Sequence, residues 1–452
     1  MKKYILILII AFILFFSFSC IFFPEGNEKF KEKINHRLLW QKIYSTEFAA
    51  IAELNCFDGQ YFYFGLTNGK EAGIVKFDLN GNNVWGKMVN LTLESSNQKV
   101  NHIQSISKIE DKLYIIASNS RDFGSYDHNL IILNADNGEY YGIYPLDPDY
   151  SGASCFRADQ YENIVYVALN IPDEGLHIYC FDKNSNSPLL IKERFFPNVR
   201  SSLTASKFIH DGKMYFRGRM DGKIRSLIVM DCLAICDENK TNEECIVKII
   251  DGDYNPGCSN IIVNNNQIVT YYVKEIIQNA LWEHYYICYD KNTYEKIWES
   301  KDDCFRTPSW VDFQVYKNFY FVPKAQTYVD CYSLIDGHLV WRNDNSIYVN
   351  DTTSGWNNES TGAIINGRWY AQPVYSGSCV IIYDINSGEK VGRIENQIFS
   401  ILSNEVCWSV ENKLYILTYG GYFNCFEIES KVNNSNIFIL FFIFFITFTM
   451  YL

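Results

Sequence analysis

Residues 286–298 read YICYDKNTYEKIW, and residues 329–341 read VDCYSLIDGHLVW. Each is a run of aromatic, Cys and β-branched residues, the composition that suits a pleated, half-buried strand. Each run ends in a short polar residue, Asp290 or Ser333, then reverses through turn formers and reaches a tryptophan, Trp298 or Trp341. Asp, Ser, Asn and Gly close such reversals because their side chains accept backbone N–H groups or tolerate positive φ. The same arrangement stands at 74–85 (IVKFDLNGNNVW) and 380–392 (VIIYDINSGEKVG), with weaker copies at 130–142, 177–190, 226–232 and 422–430.

A second pattern precedes each copy: a turn residue, then an aromatic-rich strand. It reads DGQYFYFG (58–65), EDKLYIIA (110–117), ENIVYVAL (162–169) and DGKMYFRG (211–218). It continues as NNQIVTYY (265–272), YKNFYFVP (316–323), NGRWYAQP (366–373) and ENKLYILT (411–418). The aligned anchors are Phe62, Tyr114, Tyr166, Tyr215, Val269, Tyr320, Tyr370 and Tyr415. They recur about every 50 residues, the mark of a repeat architecture. One such unit cannot cover both of its faces, so the units must stack, and a ring leaves no end uncovered. The expected fold is all-β: an eight-bladed β-propeller of four-stranded antiparallel blades over residues 33–430. The eighth unit stops near Ser430, before its last strand. Residues 36–44 (HRLLWQKIY), with Trp40 in the tryptophan place, are expected to supply that strand and close the ring.

These residues resemble the pyrroloquinoline-quinone-like repeat, whose core is Ala-x-Asp-x-x-Thr-Gly-x-x-x-Trp. Asp290, Thr293 and Trp298 keep that spacing; Asp336, Gly337 and Trp341 keep its second half, with Ser333 in place of the first Asp. Asp384 and Gly388 match while Gly392 replaces the tryptophan, and Asp78, Gly81 and Trp85 match with one residue deleted. The resemblance implies the propeller fold and little about function, since propellers host many functions. Quinoprotein dehydrogenases of this fold bind the quinone and a calcium ion on the propeller axis, and many carry two adjacent cysteines there. Here no two of the 14 cysteines are adjacent, and nearly every residue belongs to the eight units. No cofactor and no enzymatic activity are therefore expected.

Other features bound the function. Hydrophobic residues make up 48% and charged residues 20% of the 452, a globular composition. The net charge of −12 argues against nucleic acid as the main partner. No HExxH, GxSxG or Walker-type loop occurs, and turn chemistry accounts for Asp58, Asp111 and Asp211. Lys2 and Lys3, the apolar run from Tyr4 to Phe16, and Ser17 and Ser19 before Cys20 read as a signal peptide over residues 1–19. Cys20 is then a lipidation candidate. Residues 431–452 are a polar spacer and an apolar tail, expected to be a membrane anchor or an anchor signal. The location implied is extracytoplasmic and membrane-anchored, at the cell surface or in the periplasm.

Cys180, Cys288, Cys331 and Cys425 each fall two residues before the acidic position or its stand-in and are expected to be buried, one per blade. Cys232, Cys236 and Cys245 flank an acidic insertion, DENKTNEE (237–244), where a local disulfide is expected in an oxidising compartment. Arg306 with Trp310, Trp356 and Trp408 stand outside the repeat positions, residue types favoured in recognition. They are candidates for a face that binds a protein or glycan ligand, with loops 118–128 and 232–258 as further contacts. The reading favoured is a non-catalytic binding scaffold tethered to a membrane. The alternatives are a lipoprotein of outer-membrane protein assembly type and a quinone-dependent dehydrogenase.

Overall fold

The computed structural model describes residues 33–430 apart from 44–48, 51–54, 68–71, 89–101, 122–124, 147–153, 156, 172–173, 198, 203–207, 221–222, 252–260, 265, 278–280, 304–312, 325–327, 345–361, 375–378, 396–405 and 419–421. The signal segment, Cys20, the 431–452 tail, Arg306, Trp310 and Trp356 lie outside the described residues.

Eight antiparallel sheets follow one another. Blade one spans residues 49–88, two 102–146, three 154–196, four 199–251, five 261–302, six 314–344, seven 363–395 and eight 406–430. Within a blade the strands pair in chain order, and in blades one, three and four the first strand is split in two. First strands of successive blades approach each other, as Gln314–Tyr316, Ala363–Ile365 and Val406–Val410 do. Blade eight takes its fourth strand from the N-terminal side: Ile34–Ile43 pairs with Tyr422–Ser430. Trp40 stands opposite Cys425 there, as Trp298 stands opposite Cys288 and Trp341 opposite Cys331. The closing strand therefore carries the repeat tryptophan in the repeat register, and the ring has no open sheet end.

The anchors Phe62, Tyr114, Tyr166, Tyr215, Val269, Tyr320, Tyr370 and Tyr415 are all buried. The turns form as their residues dictate. Asp78 Oδ1 accepts the N–H groups of Asn80 and Asn82, each at 2.8 Å, and Asp290 Oδ1 accepts those of Asn292 and Thr293 at the same distance. Asp384 accepts from Asn386 and Ser387, and Ser333 does the same work with its hydroxyl toward Ile335. Gly337 and Gly388 have φ of 74° and 69°. A Cβ at these glycines would lie 2.4 Å from the Trp298 ring and 2.5 Å from the Trp341 ring, so glycine is required twice over.

Blades are joined by a recurring contact. The carbonyl of the residue just after the turn-capping side chain accepts a hydrogen bond from the preceding blade. Trp85 Nε1 and Lys76 Nζ reach Ala135 O at 3.2 and 2.8 Å. Trp298 Nε1 reaches Leu334 O at 3.2 Å, and Trp341 Nε1 reaches Ile385 O at 2.8 Å. The donor is Lys112 Nζ to Lys183 O at 2.6 Å, Tyr166 Oη to Cys232 O at 3.0 Å, and Tyr415 Oη to Leu79 O at 3.2 Å. Blade seven, which has Gly392 where a tryptophan is expected, receives Ile34 there: a Cβ on Gly392 would meet Ile34 Cδ1 at 2.3 Å.

The stretch after Asp231 differs from the expectation. It forms two short helices, α1 (Cys232–Cys236) and α2 (Asn242–Cys245). Asp231 caps α1 by accepting the Ala234 N–H, and Thr241 with Glu244 makes a reciprocal capping box on α2. The expected local disulfide is absent: Cys232, Cys236 and Cys245 are free thiols. Ordered helix ends hold Cys245 to the carbonyls of Thr241 and Ala234, at 3.2 and 3.3 Å, instead of to another sulfur. The stretch 118–128 is also more regular than a loop, since strands Lys112–Arg121 and Ser125–Asn134 pair through it as far as Arg121 opposite Ser125.

Candidate functional site

Asp330 breaks the repeat. It lies three residues before the turn-capping position, where the other blades have Val75, Ile131, Tyr179, Ile228, Ile287, Ile381 and Asn424. Strand Tyr328–Ser333 turns Asp330 and Tyr332 toward blade five and Cys331 toward blade seven, as the two-residue period of a strand requires. Strand Phe319–Lys324 places Lys324 on the same side, strand Leu339–Asp344 adds Arg342, and the last strand of blade five ends with Asp302 facing them.

The side chains of Lys324, Asp302 and Asp330 are wholly buried. Lys324 Nζ lies between the two carboxylates, 2.6 Å from Asp302 Oδ2 and in contact with Asp330 Oδ2. It also donates to Tyr332 Oη at 3.0 Å. The Tyr332 hydroxyl is 2.9 Å from Asp330 Oδ2 and 3.1 Å from Asp302 Oδ1, and its single proton serves one of them at a time. Arg342 grips Asp330 in a bidentate fork, Nε and Nη2 each at 2.8 Å, and extends Nη2 to Asp302 at 3.1 Å. Two acids thus face two bases with no net charge. Burial alone would raise the Asp330 carboxyl, but the Arg342 hydrogen bonds and the Lys324 charge outweigh it and hold the group below its ordinary value. Beside the network, His284 is buried and hydrogen-bonded to Tyr271. Burial lowers its pKa, with Lys324 adding to the effect and Asp302 opposing it.

Among the described residues, Lys324, Asp302, Asp330, Tyr332 and Arg342 bond to one another, and Arg342 is 25% exposed. An arrangement of this kind fixes which blade sits against which. Among the described residues no group of three or more His, Cys, Asp or Glu is disposed to hold a metal ion.

The sequence-selected residues are placed as follows. Trp40, Trp85, Trp298 and Trp341 with Asp78, Asp290 and Asp384 form the turns and blade junctions described above. Trp408 lies on the first strand of blade eight, half-buried, with its ring 5.4 Å from that of Phe62 and 5.7 Å from that of Phe64 in blade one. Its ring is engaged in packing between those blades. Cys180, Cys288, Cys331 and Cys425 are all buried. The Asp302–Lys324–Asp330–Arg342 network was not picked out from the sequence, although a charged residue in a column of mostly apolar ones was the signal for Asp330.

No family model matches the chain. No curated protein matches it in sequence. Solved structures do match. BamB from Moraxella catarrhalis aligns at 11% identity over 87% of this chain and 100% of that one, with a TM-score of 0.51. A europium-containing methanol dehydrogenase aligns at 9% identity over 84% of each chain, TM-score 0.56. A quinohemoprotein alcohol dehydrogenase from Comamonas testosteroni aligns at 10% identity over 88% of this chain and 76% of that one, TM-score 0.52. The likeness is one of fold. It upholds the resemblance to quinoprotein-type propellers at that level, and a fold shared by BamB and two dehydrogenases does not choose between their functions.

Proposed function

We propose that this protein is an exported, membrane-tethered propeller that binds a protein or glycan partner and does no chemistry. The observation that supports this reading is the buried charge network of blades five and six. Its buried carboxylates and cations, the groups from which an acid–base site would be built, neutralise each other across a blade junction. Export and tethering rest on the signal-like segment before Cys20 and the apolar tail. A lipoprotein role of outer-membrane assembly type is the second reading, favoured by Ser19-Cys20 and by the match to BamB along that chain's whole length.

The test combines two measurements on the native full-length protein. Mass spectrometry of both termini reads the tether: an acylated Cys20 favours the lipoprotein reading, and an unprocessed Met1 in a cytosolic fraction sinks export altogether. Thermal melting with pyrroloquinoline quinone and calcium reads the chemistry. The scaffold reading expects an unchanged melting temperature, and a saturable rise would replace it with the dehydrogenase reading.

A further inference from the structure

The junction of blades three and four gathers thiols. Cys180, Cys232 and Cys245 are buried in one apolar cluster, and Cys236 packs against it half-buried. Two of the four are unsuited to exchange. Cys232 is buried completely, and Cys245 is turned onto helix carbonyls. Cys180 is buried too, but it shares its surroundings with Cys236: it stands directly opposite Tyr166 in the strand pair, and both thiols belong to the cluster around that tyrosine. Cys236 Sγ also lies 3.7 Å from Tyr166 Oη. The two cysteines belong to different blades, Cys180 to the third strand of blade three and Cys236 to the end of α1 in blade four.

We propose that Cys180 and Cys236 form a reversible disulfide that ties blade three to the helical insertion of blade four. Cys236 is the attacking thiol. The Cys180 hydrogen bond holds its pKa below the ordinary value, helped by the Tyr166 hydroxyl and by the charges of Arg194 and Lys192, against the effect of burial. The thiolate is the nucleophile in exchange, so this is the thiol that reacts first. The oxidant is a low-molecular-weight disulfide such as oxidised glutathione. The Cys236 thiolate attacks one of its sulfurs, the S–S bond breaks, and one glutathione thiolate leaves. Cys180 then gives up its proton and attacks Cys236 Sγ, and the second glutathione leaves as a thiol. Two protein thiols are oxidised and one small disulfide is reduced to two thiols, so atoms and electrons balance.

The experiment is peptide mapping without reductant on the full chain after equilibration with oxidised glutathione. The expected product is one cross-linked peptide pair holding Cys180 and Cys236, lighter by two hydrogens than the separate peptides. Cys180→Ser removes the resolving thiol and should trap Cys236 as a mixed disulfide, heavier by one glutathione. Cys236→Ser should leave Cys180 unmodified. A pairing of Cys236 with Cys232 or Cys245 overturns the proposal. So do free thiols at both positions in wild type, or glutathione on Cys180 in the Cys236→Ser protein. Circular dichroism of both serine variants under reducing conditions, expected to give the wild-type spectrum, shows that the chemistry and not the fold has changed.

Discussion

The junction between blades five and six and the junction between blades three and four solve one problem with different groups. At the first, the Trp298 indole crosses to Leu334 O, and behind it two buried carboxylates are matched by a lysine and an arginine. At the second, Lys192 occupies the tryptophan register opposite Cys180, and Arg194 two residues on makes the crossing. Its guanidinium donates to the carbonyls of Ile235, Asp237 and Lys240 at 2.9, 2.6 and 2.7 Å, all in or beside α1. The first joint is ion against ion in a dry interior. The second is one ion against neutral carbonyls at the rim of an insertion. The difference teaches where loss should hurt. Removing one member of a buried ion set strands its partners as bare charge, whereas removing Arg194 strands only neutral carbonyls.

That contrast can be broken by measurement. The largest effect belongs to neither joint and sets the scale: deleting residues 34–43 removes a whole strand from blade eight, and urea denaturation should lose its single cooperative transition. Lys324→Met comes next. It leaves Asp302 and Asp330 with one cation between them and should cost about 3–5 kcal/mol by urea denaturation. Arg194→Met should cost less, about 1.5–3 kcal/mol, the range for hydrogen bonds to a charged group. If Arg194→Met proves the costlier, the ranking of the ion-to-ion joint over the ion-to-carbonyl joint is wrong. Trp298→Phe keeps an aromatic ring in the gap and removes the indole donor, and the lost hydrogen bond should cost about 1 kcal/mol.

A pH series sharpens the same point. The folded Asp330 carboxyl is held below its ordinary 3.8, chiefly by Arg342 and Lys324 against burial. Its contribution is therefore fully present above 3.8 and is lost as pH falls through the lowered folded value. Wild type should lose stability more steeply in that acid range than Asp330→Asn. Equal slopes would mean the carboxyl is not ionised in the folded protein.

Much of this was legible in the sequence because it is local. The Asp–turn–Gly–Trp order specifies a reversal and a filler within a dozen residues, and Trp40 could be placed in the ring because it repeats that order. The ion network was harder to read. Asp302, Lys324 and Arg342 stand in different strands, and a strand end tolerates charge, so nothing in their immediate neighbours distinguishes them from solvated residues. Only Asp330 stands out, and only once the blades are aligned. The α1–α2 insertion was located by its acidic run, yet its helices were missed, although Asp231 and the Thr241–Glu244 pair are cap signals of the usual kind. The disulfide expectation failed for a related reason: nearness in sequence suggested Cys232, Cys236 and Cys245 as partners, while the sheet brings Cys236 to a cysteine from the preceding blade.

The carbonyl after six of the turn caps has a consequence for how such a ring can change. A backbone oxygen is supplied by every amino acid, so no substitution at Leu79, Ala135, Lys183, Cys232, Leu334 or Ile385 can delete the acceptor. The donor side is free to be an indole, an ammonium or a phenol, provided it reaches. Half of each fastening is thus written in the main chain and drops out of the amino-acid alphabet. A protein assembled on such fastenings can drift far in sequence and still close on the same number of blades.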